Sequence, residues 1–160
     1  MAYYMKYGSI DGAATTQGFE KWIEITSFQW GVARGLGSAT RGLTNREGSE
    51  PSVGEVVVTK ESDVSSTSLL QESLTGLLNN KVVIKLTTTT KGSPTTYTEF
   101  EFTDAGVSHF SMAGGGDMFQ ETVGLNFTKV MYRFSGLDAG LSPSPKTTSF
   151  DLTTMKGDGD

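Results

Sequence analysis

The amino-acid sequence predicts an all-β fold, mainly antiparallel, with one flanking α-helix and one long glycine-rich loop. Apolar and polar residues alternate over many short segments, which is the period of a β-strand. One segment alone has the apolar spacing of an amphipathic helix. Glycine accounts for 20 of the 160 residues, a share well above the usual value of about 7%, and this indicates many turns and loops. At this length we expect a single domain, residues 1–160.

Three strands and the long loop are predicted in the N-terminal part of the chain. Tyr3–Ile10 forms the first strand and Trp22–Trp30 the second. The apolar phase of the second strand slips by one residue near Thr26, which indicates a bulge or a strand buried on both faces. Residues from about 32 to 54 contain few large apolar side chains and form one long loop, a kind that is often functional. Glu55–Lys60 is the third strand.

The predicted helix spans Ser65–Leu78. Ser65 or Ser66 is suited to cap its start, because a serine hydroxyl accepts a hydrogen bond from a free backbone N–H of the first turn. One apolar stripe follows the i, i+4, i+7, i+8 spacing. It consists of Leu70, Leu74, Leu77 and Leu78.

A β-hairpin follows the helix. Its strands are Lys81–Thr90 and Thr95–Thr103, and the chain continues as a strand after Gly106. In the second strand the alternation places Phe100 and Phe102 inward. The same alternation places Glu99 and Glu101 outward.

The C-terminal part is predicted to hold the longest strand and a terminal extension. Glu121–Phe134 is apolar first on one face and then on the other, so it needs two packing partners. The extension covers about residues 136–160. Within it, Thr147–Thr153 forms a short last strand and Gly157–Asp160 a frayed tail.

Composition excludes several classes of protein. The chain has no cysteine, which excludes disulfides, thiolate catalysis and cysteine-rich zinc sites. Its net charge is −5 and no cluster of lysine and arginine is present, so no nucleic-acid partner is expected. No apolar run is long enough for a cleaved signal peptide or for insertion in a membrane.

No catalytic, cofactor-binding or metal-ligating residue is predicted. His109 is the single histidine and lacks partners at metal-ligand spacing. Glu121, together with Glu99 and Glu101, invites comparison with the paired carboxylates of a glycosidase, but a solvated strand face is the favoured interpretation. Residues 114–117 lack the lysine and the helix of a phosphate loop.

A resemblance to a known family rests mainly on one motif. Residues 21–25 (KWIEI), followed by residues 27–32 (SFQWGV), resemble the tryptophan signature of the Hcp family of type VI secretion. Weaker similarities follow in the family's order over nearly the whole chain. They are Val58-Thr59-Lys60 with Asp63 and Ser65, then Gln120-Glu121-Thr122-Val123, then Asn126-Phe127 with Lys129.

The resemblance implies a fold and a function. The fold is a small β-barrel with one flanking helix. The function is that of a structural subunit, not an enzyme: it forms hexameric rings that stack into the inner tube of a type VI secretion system. Its partners are further copies of itself, the spike protein, the sheath proteins and effectors carried in the lumen. Such a protein begins in the bacterial cytoplasm and is exported without a cleaved signal peptide.

The resemblance also points to interface residues. In the family, the long loop after the second strand is associated with contacts between stacked rings, so we expect this loop to form the ring-stacking or subunit interface through its charged residues. Those residues are Arg34, Arg41, Arg46 and Glu47. The alternative is that they are solvated charges. Trp22, Trp30 and Phe28 are predicted anchors of the core or of a subunit interface. For Trp22 and Trp30 the alternative is a platform for stacking sugars or bases.

Two other functions are compatible with the same pattern. One is a β-sandwich binding module that holds a carbohydrate or a protein through Trp22, Trp30 or the glycine-rich loops. The other is a subunit that resembles those of phage tail tubes. The mass of the purified protein in solution separates a ring from a monomeric binding module.

Overall fold

The computed structural model describes residues 1–37, 48–136 and 145–159. The helix in this part of the chain is α1, Ser66–Thr75. The strands, in chain order, are β1 (Ala2–Tyr7), β2 (Ile23–Ile25), β3 (Ser27–Gln29), β4 (Val32–Ala33), β5 (Ser52–Val53), β6 (Val56–Glu61), β7 (Asn80–Thr90), β8 (Ser93–Gly114), β9 (Phe119–Asn126), β10 (Lys129–Phe134), β11 (Lys146–Asp151) and β12 (Lys156–Gly159). Each pairing between these strands is antiparallel, which confirms the predicted all-β class.

Two sheets share the long strand β8. Its first part pairs with β7 and β10 in a sheet of order β12–β11–β10–β8–β7–β1–β2. Its second part, from Gly106 to Gly114, pairs with β9, and β6 and β3 continue this second sheet. The strand turns from one sheet to the other near Asp104, which has a positive φ of 50°.

The barrel expected from the resemblance is not closed by hydrogen bonds among the described strands. Thr26 separates β2, which pairs with β1, from β3, which pairs with β6. The chain itself therefore connects the two sheets at this corner, and the ladder of hydrogen bonds does not run around the molecule. The phase slip near Thr26 marks this change of sheet.

The hydrophobic core lies between the two sheets. Both contribute side chains that are completely buried, including Met5, Ile84 and Phe102 from the larger sheet and Val58 and Leu125 from the smaller one. Burying one such side chain contributes roughly 1.5–3 kcal/mol. As predicted, Phe100 and Phe102 face the core, and Glu99 and Glu101 lie on the opposite face of β8.

The helix is shorter than predicted, and its apolar stripe does not face the core. It ends at Gly76, where the backbone becomes extended, so Leu77 and Leu78 lie beyond it. Leu69, which is outside the predicted stripe, is the helical residue that is buried. The four stripe leucines are 41–72% exposed.

The longest predicted strand is in fact two strands. The chain turns between Asn126 and Lys129, so β9 belongs to the smaller sheet and β10 to the larger one. This turn explains why the apolar residues change face along the segment.

The described ends of the predicted long loop hold the paired two-residue strands β4 and β5. The prediction of a frayed tail was wrong, because the tail contains β12, which pairs with β11. Because β11 pairs with β10, it covers an edge of the larger sheet that would otherwise be open.

Candidate assembly surfaces

Trp30 closes the base of the long loop. Its indole N–H donates a hydrogen bond to the carbonyl oxygen of Gly54 at 3.0 Å, and the backbone N–H of Gly54 donates to Gly31 at 3.0 Å. The ring packs edge-on against Phe100, with 6.0 Å between ring centroids, and against Phe102 and Phe127. One donor combined with a large apolar surface suits tryptophan to this half-buried position.

The other two predicted anchors are also half-buried. Phe28 packs against Phe100, with 4.9 Å between ring centroids, at the margin of the main core. Trp22 lies in a second, smaller cluster on the outer face of β1. There it meets Phe19 edge-on, with 5.2 Å between centroids, and the ammonium of Lys85 lies 5.5 Å from its ring.

Of the four charged residues predicted at an interface, one can be placed. Arg34 is exposed and directly follows β4. Its guanidinium lies against Gly48. A Cβ atom added to this glycine would lie 3.1 Å from Nε of Arg34. Arg41, Arg46 and Glu47 lie outside the described residues.

A fully buried ion pair ties the start of the helix to the smaller sheet. Lys60 on β6 and Glu121 on β9 face each other in register, and Nζ of Lys60 lies 2.7 Å from Oε2 of Glu121. Neither side chain is exposed to solvent. Nζ also lies 3.1 Å from Oδ1 of Asp63, so the cluster holds one cation and two carboxylates.

Hydrogen bonds complete this cluster. The hydroxyl of Ser66 donates to Oε2 of Glu121 at 3.0 Å, and the hydroxyl of Ser62 donates to Oε1 at 2.9 Å. The carboxylate of Asp63 accepts from the backbone N–H of Ser65 at 2.8 Å. Among the described residues no buried side-chain nitrogen or oxygen lacks a partner.

The sequence interpretation of Glu121 as a solvated strand carboxylate was therefore wrong. A signal was available, since Lys60 follows Val56 and Val58 at a spacing of two, and Glu121 precedes Val123 at the same spacing. On a strand this spacing places all of them on the core face. The residues form a structural cluster, because each polar atom is used within the protein.

An exposed ridge of aliphatic side chains runs along the helix. We call it the leucine ridge. It consists of Val64 (68% exposed), Leu70 (41%), Leu74 (72%), Leu77 (70%) and Leu78 (65%). Single exposed leucines are common, but five exposed aliphatic side chains within 15 residues of sequence make this segment a candidate interaction surface.

An open apolar groove lies elsewhere on the molecule. The inner face of the larger sheet continues past the core at β10 and β11, where β4 and β5 form the opposite wall. The groove has a volume of about 240 Å³ and is mainly apolar, with three hydroxyl-bearing residues among those that line it. Its lining residues are Trp30, Val32, Pro51, Val53, Val130, Tyr132, Thr148, Ser149 and Phe150.

Beside the Trp22 cluster, the outer face of the larger sheet is polar across β7, β8 and β10 and carries paired charges. Glu101 lies 3.1 Å from Lys81, and Glu99 lies 3.5 Å from Lys85 and 4.0 Å from Arg133. These pairs are partly exposed and contribute little stability individually. They give this face alternating positive and negative charge.

Clusters of metal-ligating side chains are not found in the described part of the chain. No three of its histidine, cysteine, aspartate and glutamate side chains are grouped so that they could hold a metal ion. His109 is exposed and lies over Gly124, where a Cβ would approach its Nδ1 to 2.1 Å. Within the same residues no helix has the length and apolar character required to cross a membrane.

Several solved structures that share this fold are described as type VI secretion proteins. A structure of a type six secretion system protein superposes with a TM-score of 0.85 at 25% identity, covering 98% of this chain and 99% of the other. Hcp1 from Salmonella typhimurium gives a TM-score of 0.75 at 21% identity over 99% and 100% of the two chains. A type VI secretion system effector from Yersinia pestis gives 0.73 at 20% identity over 93% and 98%.

The family comparison agrees with the structural one. No curated protein matches the sequence. The family described as "Type VI secretion system effector, Hcp" matches residues 4–134, which is most of the chain. This chain therefore belongs to the Hcp family of type VI secretion tube and effector proteins.

Proposed function

We propose that the protein is a structural subunit that closes into hexameric rings, and that these rings stack into the inner tube of a type VI secretion system. The observation that carries the proposal is the presence of two large unpartnered apolar surfaces, the leucine ridge and the groove, on a member of this family. Exposed apolar side chains grouped in this way are typical of surfaces that bind a partner.

Ring closure requires contacts that differ on the two sides of each subunit. In a closed ring every subunit uses one surface toward the preceding copy and another toward the following copy. The ridge and the groove are two such surfaces. No catalytic group is needed for this role, and we propose that the protein is not an enzyme.

Contacts between stacked rings are assigned to the long loop. Arg34 is exposed there, and Arg41, Arg46 and Glu47 follow it in the sequence. Arginine holds carboxylates through two parallel hydrogen bonds, and the net charge of −5 makes acidic partners available on a neighbouring ring. Each exposed pair contributes only about 0–1 kcal/mol, but such contacts are repeated around a ring.

The proposal extends to partners and location. The subunit begins in the bacterial cytoplasm, assembles inside the sheath proteins, supports the spike protein at its tip and leaves the cell with the tube. Effectors travel in the lumen.

The test is the mass of the purified protein by size-exclusion chromatography with light scattering. We expect a mass near six subunits, and negative-stain images that show rings with a central hole. A well-folded monomer at millimolar concentration, without annular particles, would overturn the proposal.

A monomeric result would favour a binding module instead. The two packed sheets are open rather than closed, and the groove is lined by Trp30, Tyr132 and Phe150, whose rings are suited to stacking on a sugar. In that case a glycan array probed with the monomer is expected to give specific binding.

A further inference from the structure

We infer that the segment around α1 is a strap that opens as a unit while the two sheets stay folded, and that its opening hydrates the buried pair Lys60 and Glu121. The strap is residues 62–79, which connect β6 of the smaller sheet to β7 of the larger one. This opening is a motion within one subunit and does not depend on the ring of the proposed function.

The strap has little apolar contact with the rest of the molecule. Six of the ten residues of α1 are exposed, and Leu69 is the one that is buried. A helix of this length does not persist by itself, since isolated helices shorter than about 12–15 residues are marginal in water. Segments with few buried apolar contacts open at a lower free energy than the core. We therefore expect the strap to open more easily than the strands on either side of it.

The strands at both ends of the strap are held in their sheets without it. β6 pairs with β3 and β9, and β7 pairs with β1 and β8. Among the described strands, no pairing joins β6 to β7. The strap can therefore leave its place without separating any of these strand pairs.

Polar groups hold the first end of the strap. The hydroxyl of Ser66 donates to Oε2 of Glu121 at 3.0 Å and accepts from Nζ of Lys60 at 3.2 Å. Asp63, which also belongs to the strap, lies 3.1 Å from the same Nζ. The strap thus supplies a hydroxyl and a carboxylate to an ion pair that has no contact with solvent. A buried ion pair carries a desolvation penalty, and water that reaches Lys60 and Glu121 on opening relieves it.

Polar groups also hold the other end. Oε2 of Glu72 accepts from the phenol of Tyr7 and from the side-chain amide of Asn80, each at 3.4 Å. The same amide donates to the carbonyl oxygen of Leu77 at 3.0 Å. Water replaces these partners when the strap opens, so each hydrogen bond opposes the opening only weakly. Both ends of the strap are therefore held by contacts that can be exchanged for water.

Hydrogen exchange of the intact protein, read by mass spectrometry, measures the opening. After correction for intrinsic rates, peptides from α1 are expected to exchange on the order of a hundredfold faster than peptides from β7 and the first part of β8. Overlapping peptides along α1 are expected to share one rate. Exchange of α1 that is as slow as that of these strands would overturn the inference.

Phe100→Leu separates opening of the strap from unfolding of the whole molecule. The ring of Phe100 packs on Phe28, Trp30 and Tyr132, and none of these residues belongs to the strap. Loss of these ring contacts is expected to speed exchange in β7 and β8 by about tenfold. Exchange in α1 is expected to stay unchanged, because the opened strap leaves these rings packed. A parallel increase in α1 would show that it opens only by global unfolding.

Glu121→Gln tests whether the opening reaches the buried pair. The variant leaves Lys60 without its closest counter-charge, and only the closed strap keeps that charge away from water. Exchange of α1 is expected to rise by about tenfold or more. Glu99→Gln is the matched control, since Glu99 pairs with Lys85 on the outer face of the larger sheet, and it is expected to leave α1 unchanged. An unchanged rate in Glu121→Gln would show that the pair stays buried, against the inference.

Tyr7→Phe provides a milder variant at the other end, should Glu121→Gln not fold. It keeps the buried ring and removes the hydroxyl that donates to Glu72. Exchange of α1 is expected to rise several-fold, by roughly the net contribution of one hydrogen bond. A wild-type rate would show that this end is not released and would contradict opening as a unit. Light scattering on the same samples reports separately on the rings of the proposed function.

Discussion

Lys60 and Glu121 show how a buried pair of charges can serve structure alone. Both side chains are fully buried, and Asp63, Ser62 and Ser66 satisfy their remaining hydrogen bonds. Removal of one partner from such a pair leaves an uncompensated buried charge. The cluster also fixes the rotation of the helix, because Ser66 in its first turn is one of the donors to Glu121.

We expect Glu121→Gln to lower the free energy of unfolding by about 3 kcal/mol, because Lys60 then remains buried without its closest counter-charge. Lys60→Met is the second single variant. The double variant Lys60→Met with Glu121→Gln is expected to lose less than the sum of the two single variants, since it removes both charges together. Urea unfolding measures all three. If the losses simply add, the two charges do not act as a pair.

Tyr7 gives the fold a defined sensitivity to alkali. Burial of the phenol and the nearby carboxylate of Glu72 raise the pKa of Tyr7. The unfolded chain therefore releases this proton near the ordinary pKa of about 10, while the folded chain keeps it. The contribution to stability is complete below pH 10 and is lost as the pH rises further.

Tyr7→Phe is accordingly expected to lose less stability than the wild type between pH 9 and pH 11. Glu72→Gln removes the second cause of the raised pKa and is expected to give an intermediate loss. Urea unfolding midpoints at several pH values measure how steeply the stability of each protein falls as the pH rises. An identical fall for the wild type and Tyr7→Phe would rule out Tyr7 as the cause of the sensitivity to alkali.

At the scale of elements, the C-terminal hairpin protects a sheet edge. β11 pairs along the whole of β10, and Phe150 packs against the main core. β12 then pairs with β11. The turn between them is held by Asp151, whose pKa is lowered because the hydroxyl and backbone N–H of Thr153 donate to its carboxylate.

Removal of residues 145–160 is expected to make the protein aggregate, because it takes Phe150 from the core and leaves the apolar strand β10 as an open edge. Removal of residues 156–160 is the matched control, since it opens only the polar edge of β11 and leaves β10 and Phe150 in place, and we expect this shorter chain to remain dispersed. Light scattering over time compares the two. Equal behaviour would show that β11 does not protect the edge.

At the scale of the whole molecule, assembly is expected to depend mainly on apolar contact. In 1 M sodium chloride the Debye length falls to about 3 Å, and exposed ion pairs, which contribute about 0–1 kcal/mol each, are screened. Burial of the leucine ridge is not weakened by this screening. Rings are therefore expected to persist in 1 M salt, while longer stacks that rely on loop arginines shorten.

Negative-stain images and light scattering at low and high salt distinguish these levels of assembly. Rings that dissociate in 1 M salt would show that charge, and not the ridge, holds them together. Stacks of unchanged length would count against the assignment of Arg34, Arg41 and Arg46 to ring stacking.

Local pattern in the sequence determined the class of fold, the existence of one helix, the inward phenylalanines and outward glutamates of β8, and the family signature. Each of these depends on residues close together in the chain, where a period of two or of 3.6 fixes which side chains share a face. Only the tertiary structure decided that the barrel is open, that β9 and β10 are separate strands, that the leucines face outward and that Lys60 meets Glu121. These features depend on which distant strand covers a given face. The turn at Phe127–Thr128 could not be predicted, because it contains no glycine or proline. Periodicity fixes a face of an element, whereas long-range pairing decides what covers that face.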